Sequence, residues 1–240
     1  MIYKLPGRHD RLIRLLLSFL RNLYPHPESQ YTERISESPD QEIKHLLHLI
    51  HINWRPPPDS DETIQAKKWQ CFQFRIWIEK NGSAAIVKKK ETWIQSARKL
   101  REANVKFKRS ESDSFFKIEF ENGVLSLPYL RIEDSTEDFF RNVIAYEQYS
   151  QDHENFVTDY VIFMDRLIDS SRDVEILRRR RIIDSWLGDD EMIANMFNKL
   201  VESIIVSAED SIYARVYSNV NKTFSHPEKL VDEDVSARIL

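Results

Sequence analysis

Apolar residues recur along this chain mostly at helical spacing, and two polar, proline-rich stretches interrupt them. From His9 to Leu23, a stripe of Leu12, Leu16, Phe19, Leu20 and Leu23 predicts a short amphipathic helix. Pro25 to Pro39 reads as a polar, proline-bounded linker. A second helix is predicted to open at Asp40, an N-cap residue after Pro39, with Ile43, Leu46, Leu47 and Ile50 as its apolar face. Pro56-Pro57-Pro58 and the acidic Asp59-Ser60-Asp61-Glu62 then form a stiff break. Beyond it Phe72, Phe74, Ile76 and Ile78 alternate as in a strand that turns at Asn81-Gly82, although the local pattern leaves helix and strand both open.

Helical spacing returns from Thr92 to Ala103, where Trp93, Ile94, Ala97 and Leu100 share a face. A small β unit is expected next. Val105 and Phe107, then Phe116, Ile118 and Phe120, alternate, and Glu121-Asn122-Gly123 signals a tight turn before Val124, Leu125 and Leu127. After Ile132 the whole pattern reads as helix. Asp134-Ser135-Thr136-Glu137-Asp138 offers an N-cap with acids in the first turn. Three broad stripes follow: Phe156 to Ile168, Met192 to Ile204, and Ile212 to Val220. Stripes this wide bury against several neighbours. The expected fold is therefore mainly α, a helical bundle with one small antiparallel β-hairpin or sheet around Val105–Ile132. The expected organisation is N-terminal helices and proline-rich linkers over 1–66, a divergent segment with a possible strand over 67–91, the main helical unit over 92–228, and a disordered tail over 229–240.

Composition narrows the function classes. With 240 residues the chain is long enough for a sizeable core. One cysteine excludes a disulfide framework or a Cys-rich zinc site, and four glycines leave no Gly-rich phosphate loop. Arg14 and Arg21 interrupt the most apolar N-terminal stretch, so neither a spanning helix nor a secretory signal is read there. The expected localisation of the chain as given is accordingly cytoplasmic or unassigned. The sequons at Asn81 and Asn221 are read as chance. A net charge of −4 hides a division: residues 1–110 carry 21 Lys+Arg against 12 Asp+Glu, and residues 111–240 carry 14 against 27. Such asymmetry marks either a partner surface or differently solvated helix faces.

Several ordered segments carry a family resemblance. They are Ser96-Ala97-Arg98-Lys99-Leu100-Arg101-Glu102-Ala103-Asn104-Val105-Lys106-Phe107-Lys108, Phe120-Glu121-Asn122-Gly123-Val124-Leu125 with Leu127-Pro128, and Phe140-Arg141-Asn142-Val143-Ile144-Ala145-Tyr146-Glu147-Gln148. Tyr160-Val161-Ile162-Phe163-Met164-Asp165, Trp186-Leu187-Gly188-Asp189-Asp190-Glu191 and Phe197-Asn198-Lys199-Leu200 continue the series, and His45-Leu46-Leu47 fits more weakly. Over roughly residues 92–222 the chain resembles the plant domain-of-unknown-function family 247. The resemblance implies a plant protein without known catalysis, in a family anchored by a C-terminal transmembrane helix that follows a basic, Trp-rich stretch. Some grass members are associated with pollen self-recognition, which extends to this chain only by analogy. Against that plan the chain reads as a truncated C-terminal half without the anchor, and residues 68–92 read as private sequence.

Candidate chemistry is sparse. His45, His48 and His51 repeat every three residues, but on a helical wheel they centre about 150° from the Ile43/Leu46/Leu47/Ile50 face. They are expected to face solvent rather than to bind metal. Asp59-Ser60-Asp61 begins like a calcium loop, yet Ile64 and Gln70 stand where glycine and glutamate are needed. Cys71, among Trp69, Phe72 and Phe74, reads as a structural thiol. Asp189-Asp190-Glu191 reads as helix capping, and Arg178 to Arg181 as a solvated helix end. Lys88-Lys89-Lys90 stays open to anionic lipid. Glu147 breaks pattern: it falls within about 10° of the centre of the apolar stripe formed by Phe139, Phe140, Val143 and Ile144. A carboxylate there must be paired, hydrogen-bonded or protonated. A structural bridge to an arginine or a backbone N–H is the expectation.

No catalytic, cofactor-binding or metal residue is assigned, and no cofactor is expected. The functional expectation is a non-enzymatic interaction or recognition protein of a membrane-tethered family, with a protein partner. The alternatives are an enzyme assembled from distant residues around Glu147 and Asp165, or anionic lipid or nucleic-acid binding through the basic N-terminal half.

Overall fold

In the computed structural model the described residues are 25, 44–54, 93–112, 114–149, 155–186, 188–202, 204 and 211–225. The helix expected at 9–23, the strand near 72–78, Cys71, the Lys88–Lys90 run and the tail after 229 lie outside them. The elements run α1 (Leu46–Trp54), α2 (Ala97–Glu102), β1 (Lys106–Arg109), β2 (Glu119–Glu121), β3 (Val124–Leu127), β4 (Leu130–Ile132), α3 (Thr136–Tyr149), α4 (Phe156–Leu167), α5 (Ser171–Arg179), β5 (Ile183–Ser185), α6 (Asp190–Val201) and α7 (Ala214–Ser225). The architecture is mainly α with a minor sheet component.

Helix α4 is the hub. Every residue from Phe156 to Leu167 except Arg166 is buried, because α3 packs on one side of it and α6 on another. A helix apolar on nearly all faces belongs in the middle of a bundle. Around it, α1 contributes Leu49, Ile50 and Trp54 to the core. The Trp54 ring stacks on Phe115 at 4.9 Å and meets Phe116 and Phe139 edge-on at 4.9 and 5.1 Å. Phe116 in turn meets Phe156 of α4 at 4.9 Å. Such edge-to-face contacts add to plain burial through the ring quadrupoles.

The β structure is mixed rather than wholly antiparallel. β2 and β3 form the expected hairpin, Glu121 opposite Val124, joined by Asn122 and Gly123 at φ 49° and 74°. Two successive positive φ values define the type I′ turn that asparagine–glycine favours. β1, however, lies parallel to β3 on its other side, and β4 pairs in parallel with β5 in a separate two-stranded sheet. β5 falls within a stretch whose sequence reads as helix; its three residues are a strand through their pairing with β4. Tyr129 links the two sheets: its hydroxyl donates to Asp184 Oδ2 at 2.9 Å, and the Arg109 guanidinium sits 4.2 Å above its ring. Burial and the Asp184 carboxylate push the Tyr129 hydroxyl up to about 12, so it stays a donor at neutral pH.

No described helix is long and apolar enough to cross a membrane.

Candidate functional site

The N-terminus of α4 presents an obligatory problem. The first turn of any helix leaves N–H groups without intrahelical partners, and this one opens inside the core. Asn155, at the N-cap, makes no side-chain cap. The acceptors come instead from Glu147, on the last turn of α3. Its Oε1 accepts from the Val157 N–H at 3.0 Å, and its Oε2 accepts from the Thr158 N–H at 2.7 Å and the Thr158 hydroxyl at 2.6 Å. The carboxylate also lies where the positive end of the helix dipole favours negative charge.

A fourth contact closes the group. His51 Nε2 of α1 lies 3.2 Å from Glu147 Oε1, with both side chains buried. An ionised carboxylate only accepts, which makes Nε2 the donor. The imidazole stacks on Phe156 at 4.4 Å and meets the Tyr146 ring edge-on at 5.1 Å. His45 and His48 also gather around Tyr146, at 5.3 and 6.1 Å.

Burial of Glu147 and its main-chain partners are as the sequence implies. The histidine face is corrected in part: His45 is exposed as the wheel implies, but His48 and His51 are buried, and the exposed position of the helix is Leu46, 47% accessible, which the wheel placed on the apolar side. The reason is that α1 is covered on more than one side, and an imidazole with an aromatic neighbour and a carboxylate partner tolerates burial. Among the described residues no group of three metal-ligating side chains comes together.

Two further buried acids repeat the device, and the helical wheel did not single them out. Asp159 Oδ2 accepts from the Ile212 N–H at 2.8 Å, just ahead of α7. Asp173 Oδ1 accepts from the Arg98 N–H in the first turn of α2 at 2.7 Å, while its Oδ2 takes the Ser170 N–H and hydroxyl at 3.0 and 2.9 Å. Ser170-x-x-Asp173 is a capping box, and that pattern is the sequence signal for Asp173. One aspartate thus caps its own helix and a second helix 75 residues earlier.

Asp165 is different. Burial pushes its carboxyl up to about 6; Arg166, 3.8 Å away, works against the shift, and Asp169 adds to it. It lies near the C-terminal end of α4, about 12 Å along the axis from the turn that Glu147 caps, at 1.5 Å per residue. The two carboxylates therefore do not form an acid–base pair. The Asp189 side chain caps α6 through the Glu191 N–H at 3.0 Å, and Arg178 and Arg179 pair with Asp190 and Glu175. The side-chain amide of Asn221, in the second sequon, donates to the Trp93 carbonyl at 3.4 Å.

A family model described as a plant protein of unknown function, domain-of-unknown-function family 247, matches residues 2–234, so the chain belongs to that family. The match extends well beyond the roughly 92–222 that the motifs delimit. A UPF0481 protein of Arabidopsis thaliana is 27% identical over 220 residues, covering 90% of this chain and 45% of that protein. A putative UPF0481 protein of the same plant is 30% identical over 116 residues, covering 48% of this chain and 22% of its own length. The chain thus spans less than half the length of these curated relatives. No solved structure matches it significantly.

Proposed function

We propose that this chain is a non-catalytic interaction module, acting at a membrane to which members of its family are tethered. The observation that carries the reading is the occupancy of three buried acids at the starts of other segments. Glu147, Asp159 and Asp173 each accept from main-chain N–H groups of another segment, so their lone pairs serve the fold rather than a substrate. A general acid or base needs a free lone pair or proton within reach of a reacting atom. Glu147 has neither to offer, being surrounded by four donor contacts. Support for contact with another protein comes from Trp186, which is 78% exposed at the end of β5. Exposed tryptophans are enriched where proteins dock.

The test is site-specific photo-crosslinking. A photoreactive amino acid in place of Trp186, introduced into the protein expressed in plant cells, is expected to yield one discrete protein adduct that excess unlabelled protein competes away. A substrate turnover abolished by Asp165→Asn, with no adduct formed, overturns the reading.

A further inference from the structure

Among the described residues, the outer edge of β1 at Phe107 and Arg109 has no strand partner, and it carries a strong charge. Lys106 N–H donates to the Gly123 carbonyl at 2.8 Å and Ser110 N–H to the Leu127 carbonyl at 2.6 Å. With the register Lys106↔Val124 through Arg109↔Leu127, the even-numbered residues of β1 turn their main chain toward β3. The main-chain N–H and C=O of Phe107 and Arg109 therefore point away from the sheet, whose strand order β1-β3-β2 leaves β1 outermost among the described residues. The Phe107 side chain is buried, which fixes the strand in place, while Lys106 and Lys108 alternate with it and are exposed. Over residues 97–111 six cations, Arg98, Lys99, Arg101, Lys106, Lys108 and Arg109, stand against two acids, Glu102 and Glu111, the latter in an exposed ion pair with Lys108 at 3.6 Å.

We infer that the β1 edge receives an extended acidic peptide of a partner protein as an added strand. Strand addition uses the main-chain N–H and C=O groups for affinity and alternate side chains for specificity. Here the groups of Phe107 and Arg109 supply two donors and two acceptors, and the flanking cations select carboxylates at alternating positions of the incoming strand. A phosphate, from lipid headgroup or nucleic acid, would satisfy the N–H groups and the cations but leave both carbonyls unpaired. A second copy of this chain is disfavoured on this edge, because antiparallel self-pairing sets lysines against lysines. Charged edge strands also resist unwanted pairing, and that protective role is compatible with a selective one. The inference rests on the interaction reading above but concerns a different surface, so its failure leaves the Trp186 adduct untouched.

The experiment uses the intact chain and a fluorescein-labelled seven-residue peptide alternating valine and aspartate, with the valine–lysine peptide as control. Anisotropy is expected to show micromolar binding of the acidic peptide only. The affinity should fall at least tenfold in an Arg101→Glu/Lys108→Glu variant that keeps the parental circular dichroism, both residues being exposed. Hydrogen exchange should slow at the Phe107 and Arg109 amides on peptide addition, with Lys108 unchanged. Binding without protection of those two amides would be electrostatic adhesion and overturns the inference. So does preferential binding of phosphatidylserine vesicles or polyuridine RNA over the peptide, or protection of both amides already complete in the free chain.

Discussion

Truncating Glu147 removes the acceptor that α4 requires, and the cost follows from its contacts. Glu147→Ala leaves the Val157 and Thr158 N–H groups, the Thr158 hydroxyl and His51 Nε2 without their acceptor in a buried site. A hydrogen bond to a charged group contributes about 1.5–3 kcal/mol, and a stranded buried donor costs about 1–3 kcal/mol. Two main-chain bonds at full cost, with the hydroxyl and imidazole partly re-directed, give a loss of about 3–5 kcal/mol. That is a large share of the ~5–15 kcal/mol stability of an ordinary domain. Urea titration followed by both tryptophan fluorescence and far-ultraviolet circular dichroism measures it, coincident curves establishing two-state unfolding. Glu147→Gln keeps one carbonyl acceptor while turning an NH2 toward N–H donors, so it should lie between the parent and the alanine variant. A loss below about 1 kcal/mol for Glu147→Ala would refute the capping role.

The other consequences are smaller and separable. Asp165, raised to about 6 in the folded chain, binds more protons there than in the unfolded chain between about pH 4 and 6, so stability falls as pH rises through that window and levels off above it. Asp165→Asn should remove this component and stabilise the protein at pH 7 by about 1 kcal/mol after allowance for solvent screening, read from urea midpoints at pH 4.5 and 7.0. Asp173→Ala should cost about 2–3 kcal/mol and selectively speed hydrogen exchange at the Arg98 amide, because one side chain caps both α2 and α5. Gly123→Ala should cost about 1 kcal/mol, since alanine resists the φ of 74° that the hairpin needs, and thermal unfolding would register it. His51→Ala should loosen α1 by removing both the Glu147 contact and the Phe156 stack, seen as faster proteolysis within 44–54 at native pH.

Much of this arrangement was legible in the sequence where a periodic pattern met an exception. Glu147 stood out because the stripe on α3 is apolar on either side of it, and a buried carboxylate has few physical options. The hairpin was legible because Asn122-Gly123 carries its own backbone preference. The partner of Glu147 was not. A wheel treats histidine as polar and sends it to solvent, whereas His51 is held by a carboxylate 96 residues away in the chain and by a stack on Phe156 still farther along. β5 carried no local signal because three residues have no period, and its strand geometry comes from β4, more than 50 residues earlier. The parallel pairing of β1 was hidden for the same reason: alternation identifies a strand but not its neighbour's direction. Asp159 and Asp173 sit in the first turns of α4 and α5, where acids are common, and only the packed chain shows that each also reaches another segment.

Glu147, Asp159 and Asp173 act as fasteners, each satisfying the start of another segment. Residue-resolved hydrogen exchange in Glu147→Ala tests this role most directly, with the Phe163 amide of the same helix as the internal reference. Val157 and Thr158 are expected to exchange at least tenfold faster relative to Phe163 than in the parent. Unchanged ratios at both amides would contradict it.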